Sequence, residues 1–258
     1  MKKLLNTLYV TSENSYLRLE GETVVICDGE QKMGQVPLHN LDGIVSFGYK
    51  GVSPALMGAC MERKVSVCFL SPQGKFLARV TGEECGNILL RKQQFASVKN
   101  DKISLEIARN CILGKVFNSR WILERAIRDH SMQIDVEKVR RVSQQMKHSL
   151  TIIQSAESLD QLRGYEGAAA NVYFSVFDEL ILQQKKEFSF QGRNRRPPMD
   201  NVNAMLSFVY TLLTTQITAA LETVGLDPYV GYLHTTRPGR ASSVSYTHLR
   251  AHETRSNL

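Results

Sequence analysis

The residue types that could do chemistry gather in the C-terminal half of this chain. Glu166 stands in Leu162-Arg163-Gly164-Tyr165-Glu166-Gly167-Ala168-Ala169-Ala170-Asn171-Val172-Tyr173. On a helix advancing roughly 100° per residue, Leu162, Tyr165, Ala169, Val172, Val176 and Leu180 form one apolar stripe. Asp160, Gly164, Gly167, Asn171, Ser175 and Asp178 form the opposite, polar face. Glu166 falls beside the apolar stripe, near Ala169, Ala170 and Tyr173. A carboxylate there must be paired, protonated or bound to a cation. A plain salt-bridged glutamate satisfies the same pattern. The glycines and alanines around it leave room for another backbone to approach.

A second cluster is Gly231-Tyr232-Leu233-His234-Thr235-Thr236-Arg237-Pro238-Gly239-Arg240. Imidazole nitrogen together with carboxylate oxygen suits Mn²⁺ and tolerates Mg²⁺, ions that activate water and stabilise phosphoryl oxygens. Arg237 and Arg240 could neutralise phosphate. A surface histidine in a basic loop is the alternative. The third cluster is Arg193-Asn194-Arg195-Arg196-Pro197-Pro198-Met199-Asp200. Its arginines precede a rigid Pro-Pro pair, and Asp200 is a good N-cap for the helix that follows. Asn203, Ser207, Tyr210 and Thr214 share one face of that helix, a hydrogen-bonding stripe that could line a cleft or meet a phosphate backbone. A linker followed by a solvated helix face reads equally well.

Two kinds of element must hold these clusters. Before residue 85, short β-branched and aromatic runs alternate with turn clusters: Tyr9–Thr11, Tyr16–Leu19, Thr23–Cys27, Lys32–Pro37, Gly43–Phe47, Val65–Leu70 and Phe76–Val80. They predict a sandwich or barrel-like module with one short helix over Ser53–Arg63. After Gly86 the spacing turns helical. We expect helices over Ile88–Val98, Asp101–His130, Asp135–Glu157, Ser158–Lys185 and Asp200–Val224. In the long second one, Ile103, Ile107, Cys111, Leu113, Phe117, Trp121 and Ile127 suggest the buried face. The fold class expected is α+β: an N-terminal β-sandwich-like domain over residues 1–85, then a mostly α-helical catalytic domain over residues 86–242. Residues 243–258 have neither periodicity nor an apolar face and resemble a translated cloning or assembly scar.

The chain has 258 residues and a formal charge of +7, which leans toward a polyanionic partner. No stretch approaches the roughly 18 uninterrupted apolar residues of a membrane span, so we expect a cytoplasmic protein with no membrane association. Met1-Lys2-Lys3-Leu4-Leu5 could open a signal peptide, but the apolar run breaks at Asn6. Cys27, Cys60, Cys68, Cys85 and Cys111 contain no CxxC pair and read as reduced thiols.

Three segments, residues 164–170, 195–210 and 225–240, occur in an order and spacing that closely resembles the CRISPR-associated spacer-acquisition integrases ("Cas one"), in the form found with type I-C systems. The resemblance extends from residue 1 to about 242. It implies a metal-dependent DNA endonuclease and integrase, in which a 3′-hydroxyl attacks a phosphodiester of the CRISPR repeat to insert spacer DNA. It implies Mg²⁺ or Mn²⁺ as cofactor, with Glu166 and His234 as catalytic metal ligands. Arg195, Arg196, Asn203, Ser207, Tyr210, Arg237 and Arg240 are then the candidate DNA contacts. The implied partners are double-stranded and branched DNA, a second copy of the chain in a homodimer, and the small "Cas two" protein. The family's third, acidic ligand should lie on a helix shortly after Arg240, where this chain has Leu249 at the aligned position. We therefore expect a C-terminally truncated chain of impaired activity. The alternatives are a non-catalytic DNA-binding assembly protein and, more distantly, an RNA-directed activity, since phosphate contacts carry no base identity.

Overall fold

The structure, a computed structural model, describes residues 6–83, 87–194 and 197–234. By its internal contacts it divides into two units, Met1–Gly86 with Glu222–Gly225, and Asn87–Leu221 with Leu226–Leu258.

In the first unit the strands fall where the apolar alternation put them. They are β1 (Thr7–Val10), β2 (Ser15–Glu20), β3 (Thr23–Asp28), β4 (Gln31–Pro37), β5 (Gly43–Phe47), β6 (Ser66–Leu70) and β7 (Phe76–Val80). Strands β2, β3 and β4 form an antiparallel meander whose turns use Gly21 and Gly29 at positive φ, a conformation glycine adopts without Cβ strain. The other sheet runs in the order β1-β5-β6-β7; β5 pairs parallel with both β1 and β6. Parallel neighbours need a crossover, and α1 (Pro54–Glu62) supplies it between β5 and β6. Ser53 caps that helix, its Oγ accepting from Leu56 N at 3.2 Å. The short helix expected over Ser53–Arg63 is thus the crossover that lets β5 and β6 run parallel. Every residue of β5 is buried, as expected for a strand covered on both faces. Leu17 and Val24 from the meander, Ile44 and Val67 from the mixed sheet, and Leu56 and Cys60 from α1 share one core. Cys27, Cys60 and Cys68 are buried free thiols, and burial pushes the Cys60 thiol up to about 11 against the opposing charge of Arg63.

The second unit is helical: α2 (Ile88–Val98), α3 (Asp101–Asp129), α4 (Val136–Gln154), α5 (Leu159–Phe174) and α6 (Asn201–Thr223). Asn100, Asp135 and Ser158 cap α3, α4 and α5 through their side-chain oxygens. Asp200 Oδ1 accepts from Asn203 N at 2.7 Å at the start of α6. Each such cap is worth about 1 kcal/mol. Ile112, Val116 and Leu123 of α3, Val142 and Met146 of α4, and Leu162, Ala169 and Tyr173 of α5 form the core. The α+β class is as the sequence predicts, strands first and helices after.

Two helical expectations are corrected. The buried face of α3 is Ser104, Ala108, Ile112, Val116, Ser119, Leu123 and Ala126, not the bulkier stripe beginning at Ile103; Phe117 and Trp121 are exposed. Small residues let α4 and α5 approach closely, and Ser119 can be buried because its Oγ bonds to Lys115 O at 3.0 Å. The helix expected to run from Ser158 to Lys185 ends at Phe174. A single 3-10 turn, Phe177–Leu180, follows, and Asp178 Oδ1 accepts from Phe190 N at 2.7 Å, folding the chain back. Phe174, Phe177 and Phe190 then pack ring against ring, with centroids 5.0–5.7 Å apart. Among the described residues α6 is the one helix long and apolar enough to cross a membrane by length and composition. It also carries the polar residues Asn203, Ser207, Tyr210, Thr211, Thr214 and Thr215 along its length.

Candidate active site

Helix α5 presents Glu166 at the border of its buried face. Leu162, Ala169 and Tyr173 point into the core, whereas Gly164 and Gly167 are exposed with no atom within 4 Å of where a Cβ would lie. Glu166 is half-buried between them, its side chain 20% exposed. Its Oε1 accepts a hydrogen bond from the ammonium of Lys115 on α3, itself only 12% exposed. The cation that the position of Glu166 requires is therefore met from within the fold. Lys115 was not singled out in the sequence. The stripe read for α3 runs through Phe117 and Trp121, and Lys115 joins the seam toward α5 only once Ile112 and Ser119 are seen to be the buried face.

His234 is brought toward the same helix. Arg163, one turn before Glu166, donates from Nη1 to the carbonyl of Leu233 at 3.1 Å. Its other terminal nitrogen bonds to Asp160. Leu233 is fully buried and joins Leu162 and Ala169 in the core, and Tyr232 packs against that cluster. The residue before His234 is thus fixed to α5 by both packing and a hydrogen bond. Burial also raises the phenol of Tyr232 above its ordinary value, which keeps it neutral.

The third cluster is built differently from the expectation. Asn203 is fully buried rather than facing solvent. Its Oδ1 accepts from Arg193 Nη1 at 2.7 Å and from Asn194 N at 3.1 Å. Its Nδ2 donates to Gly192 O at 2.8 Å and Asp200 Oδ2 at 2.7 Å. An amide so engaged cannot also reach a phosphate, so Asn203 is corrected from a DNA contact to the anchor of the arginine loop. Arg193 also reaches Ser207 Oγ at 3.4 Å and lies over the ring of Tyr210, 5.4 Å from its centroid. The stripe Asn203, Ser207, Tyr210 therefore gathers Arg193. The hydroxyls of Ser207, Thr211, Thr214 and Thr215 donate to carbonyls one turn back in their own helix. Arg195, Arg196, Arg237, Arg240 and Leu249 lie outside the described residues.

A carboxylate and an imidazole are hard and borderline donors that Mg²⁺ and Mn²⁺ accept. The Glu166 carboxylate already faces one positive charge, the Lys115 ammonium. The two residues fit the ion in donor chemistry, although no group of three His, Cys, Asp or Glu stands together among the described residues.

The family model for "CRISPR associated protein Cas1" matches residues 8–245. The chain belongs to the Cas1 family. Among its relatives, "CRISPR-associated endonuclease Cas1 2" of Rhodospirillum rubrum is 49% identical over 247 residues, covering 94% of this chain and 71% of that protein. "CRISPR-associated endonuclease Cas1 1" of Chlorobaculum tepidum is 47% identical over 242 residues, with the same coverage of 94% and 71%. Two solved structures share the fold at lower identity. "Casposase bound to integration product" superposes with a TM-score of 0.73 at 23% identity, covering 96% of this chain and 70% of its own. "Cas6-RT-Cas1--Cas2 complex" does so with 0.69 at 20% identity, covering 98% and 27%. At these identities the structures establish a Cas1-like architecture and nothing of this chain's ligands.

Proposed function

We propose that this Cas1 protein is a metal-dependent DNA endonuclease and integrase that inserts spacer DNA into a CRISPR array. The observation that carries the reading is the tie between Arg163 and Leu233, which holds the segment bearing His234 to the helix bearing Glu166. Relatives at nearly half identity are named Cas1 endonucleases, and a neighbour in fold is a casposase bound to its integration product.

In this mechanism Glu166 and His234 hold Mg²⁺ or Mn²⁺. When bound, the cation supplies Lewis-acid stabilisation of phosphoryl oxygens and lowers the pKa of an attacking hydroxyl. The chain's own residues do the rest. Gly164 and Gly167 leave the exposed face of α5 open to the approach of a sugar–phosphate backbone. Arg193, locked by Asn203 and Tyr210, sets the start of the loop carrying Arg195 and Arg196. Those arginines, with Ser207, Tyr210, Arg237 and Arg240, contact the DNA backbone and fix its register. A 3′-hydroxyl forms a new bond to phosphorus in the repeat, the bond to the repeat's own 3′-oxygen breaks, and that oxygen leaves with a proton. Cleavage of branched DNA runs the same exchange in the other direction.

Residues 1–85 serve dimerisation with a second copy, and residues 86–242 serve catalysis. Double-stranded and branched DNA and a small Cas2 protein are the partners, in the cytoplasm. The fold neighbour solved as a complex with Cas2 supports that assembly. The family resemblance implies a third, acidic ligand, which would complete the site. The second reading, a non-catalytic assembly protein, is favoured by Lys115, whose ammonium already compensates the Glu166 carboxylate. Glu166→Ala separates the two. An enzyme loses strand transfer and keeps DNA binding, whereas an assembly protein has no strand transfer to lose.

A further inference from the structure

Lys115 and Glu166 form an ion pair across the seam between α3 and α5, with most of both side chains out of water. Glu166 is the one ion-pair partner of Lys115 among the described residues. The contact involves a single carboxylate oxygen, Oε1. Lysine, unlike arginine, makes such a contact as a compact charge on a flexible four-carbon stem, so its head can leave one acceptor for another at small cost. The exposed face of α5 is open: Gly164 and Gly167 have no atom within 4 Å of where a Cβ would lie.

We propose that Lys115 is the resident counter-cation of Glu166, and that an incoming divalent cation displaces it onto a phosphate oxygen of the bound DNA. The inference rests on the reading of Glu166 as a metal ligand. Its physical basis is competition. An ammonium and a divalent cation on one carboxylate repel each other strongly in a partly water-excluded site. Metal binding to the free protein therefore works against the Lys115–Glu166 bond, while DNA offers the released ammonium a phosphate acceptor of equal charge sign. Metal and DNA thereby assist each other at this site, and the metal-free protein keeps its half-buried carboxylate compensated.

The competition gives a result of unusual sign: deleting a cation partner strengthens metal binding. The full chain is titrated with Mn²⁺, free Mn²⁺ being followed by electron paramagnetic resonance, and its melting temperature is recorded with and without the ion. Lys115→Met is expected to bind Mn²⁺ about 5-fold or more tightly than the unaltered chain, the low end of ordinary coupling. Mn²⁺ should also raise the variant's melting temperature by more. In Mn²⁺, its affinity for a branched duplex should fall. Lys115→Gln, which keeps a polar head without the charge, should shift Mn²⁺ binding in the same direction. Mn²⁺ binding that Glu166→Gln abolishes, but that Lys115→Met and Lys115→Gln leave equal or weaker, overturns the proposal alone. Mn²⁺ binding unaffected by Glu166→Gln overturns it together with the reading of Glu166 as a ligand.

Discussion

Arg163 and Leu233 are joined by a 3.1 Å hydrogen bond from guanidinium to backbone carbonyl, seventy residues apart in sequence. Leu233 precedes His234, and Arg163 precedes Glu166 by one helical turn. The bond therefore sets the register between the two expected metal ligands. We predict that Arg163→Ala lowers Glu166-dependent strand transfer about 10-fold, the scale of effects from groups that orient ligands. The same change should cost only about 1 kcal/mol of stability, since one part-buried hydrogen bond is lost. Parallel denaturation and strand-transfer assays check both halves. A loss of activity no greater than the fraction unfolded would remove Arg163 from any role in the site.

Asn203 makes four side-chain hydrogen bonds in a fully buried position. Asn203→Ala strands Arg193, Gly192 O and Asn194 N, and should destabilise the helical unit by about 2–3 kcal/mol. Urea denaturation measures it. A substitution that weakens DNA binding without lowering stability would return Asn203 to the DNA-contacting role first expected of it.

The corrected face of α3 is tested by contrast. Ile112 is fully buried and Trp121 is 51% exposed. Ile112→Ala should cost about 2–4 kcal/mol. Trp121→Ala should cost less than about 1 kcal/mol, since it removes an edge contact with Phe117 and a cation contact with Arg120 on the surface. The reverse ranking would mean that the bulky stripe is the true interface.

Acid stability should depend on Glu179. The Lys138 ammonium hydrogen-bonds to its carboxylate at 2.9 Å and holds its carboxyl below the usual carboxylate range, with a further contribution from Asp135 N. A depressed folded pKa stabilises above the unfolded value, about 4.3 for glutamate, and that stability is lost as pH falls through the lower folded value. Glu179→Gln is expected to flatten the fall in melting temperature on acidification below about pH 4.5. An unchanged acid limb would show that the pair contributes nothing to folding.

Much of this architecture is legible in the sequence because local signals agree. Ser53-Pro54, Asn100, Asp135, Ser158 and Asp200 begin helices as caps should, and β5 is an unbroken buried run. Glu166 beside an apolar stripe correctly demands a cation. What sequence periodicity could not supply was the partner of that charge, since Lys115 lies 51 residues away on another helix. It also misjudged the face of α3, because size patterns favour Phe117 and Trp121 while close helix packing favours serine and alanine. The polar stripe on α6 was recognised, but its purpose depends on where the preceding loop returns. Only the folded chain shows that it closes around Arg193.

The most direct test of the account is strand transfer into a repeat-containing duplex in Mn²⁺, run on this chain and on its Glu166→Ala and His234→Ala variants. The account predicts product from the unaltered chain and none from either variant, with DNA binding retained throughout. Equal product with and without Glu166 would contradict it and leave the assembly-protein reading in its place.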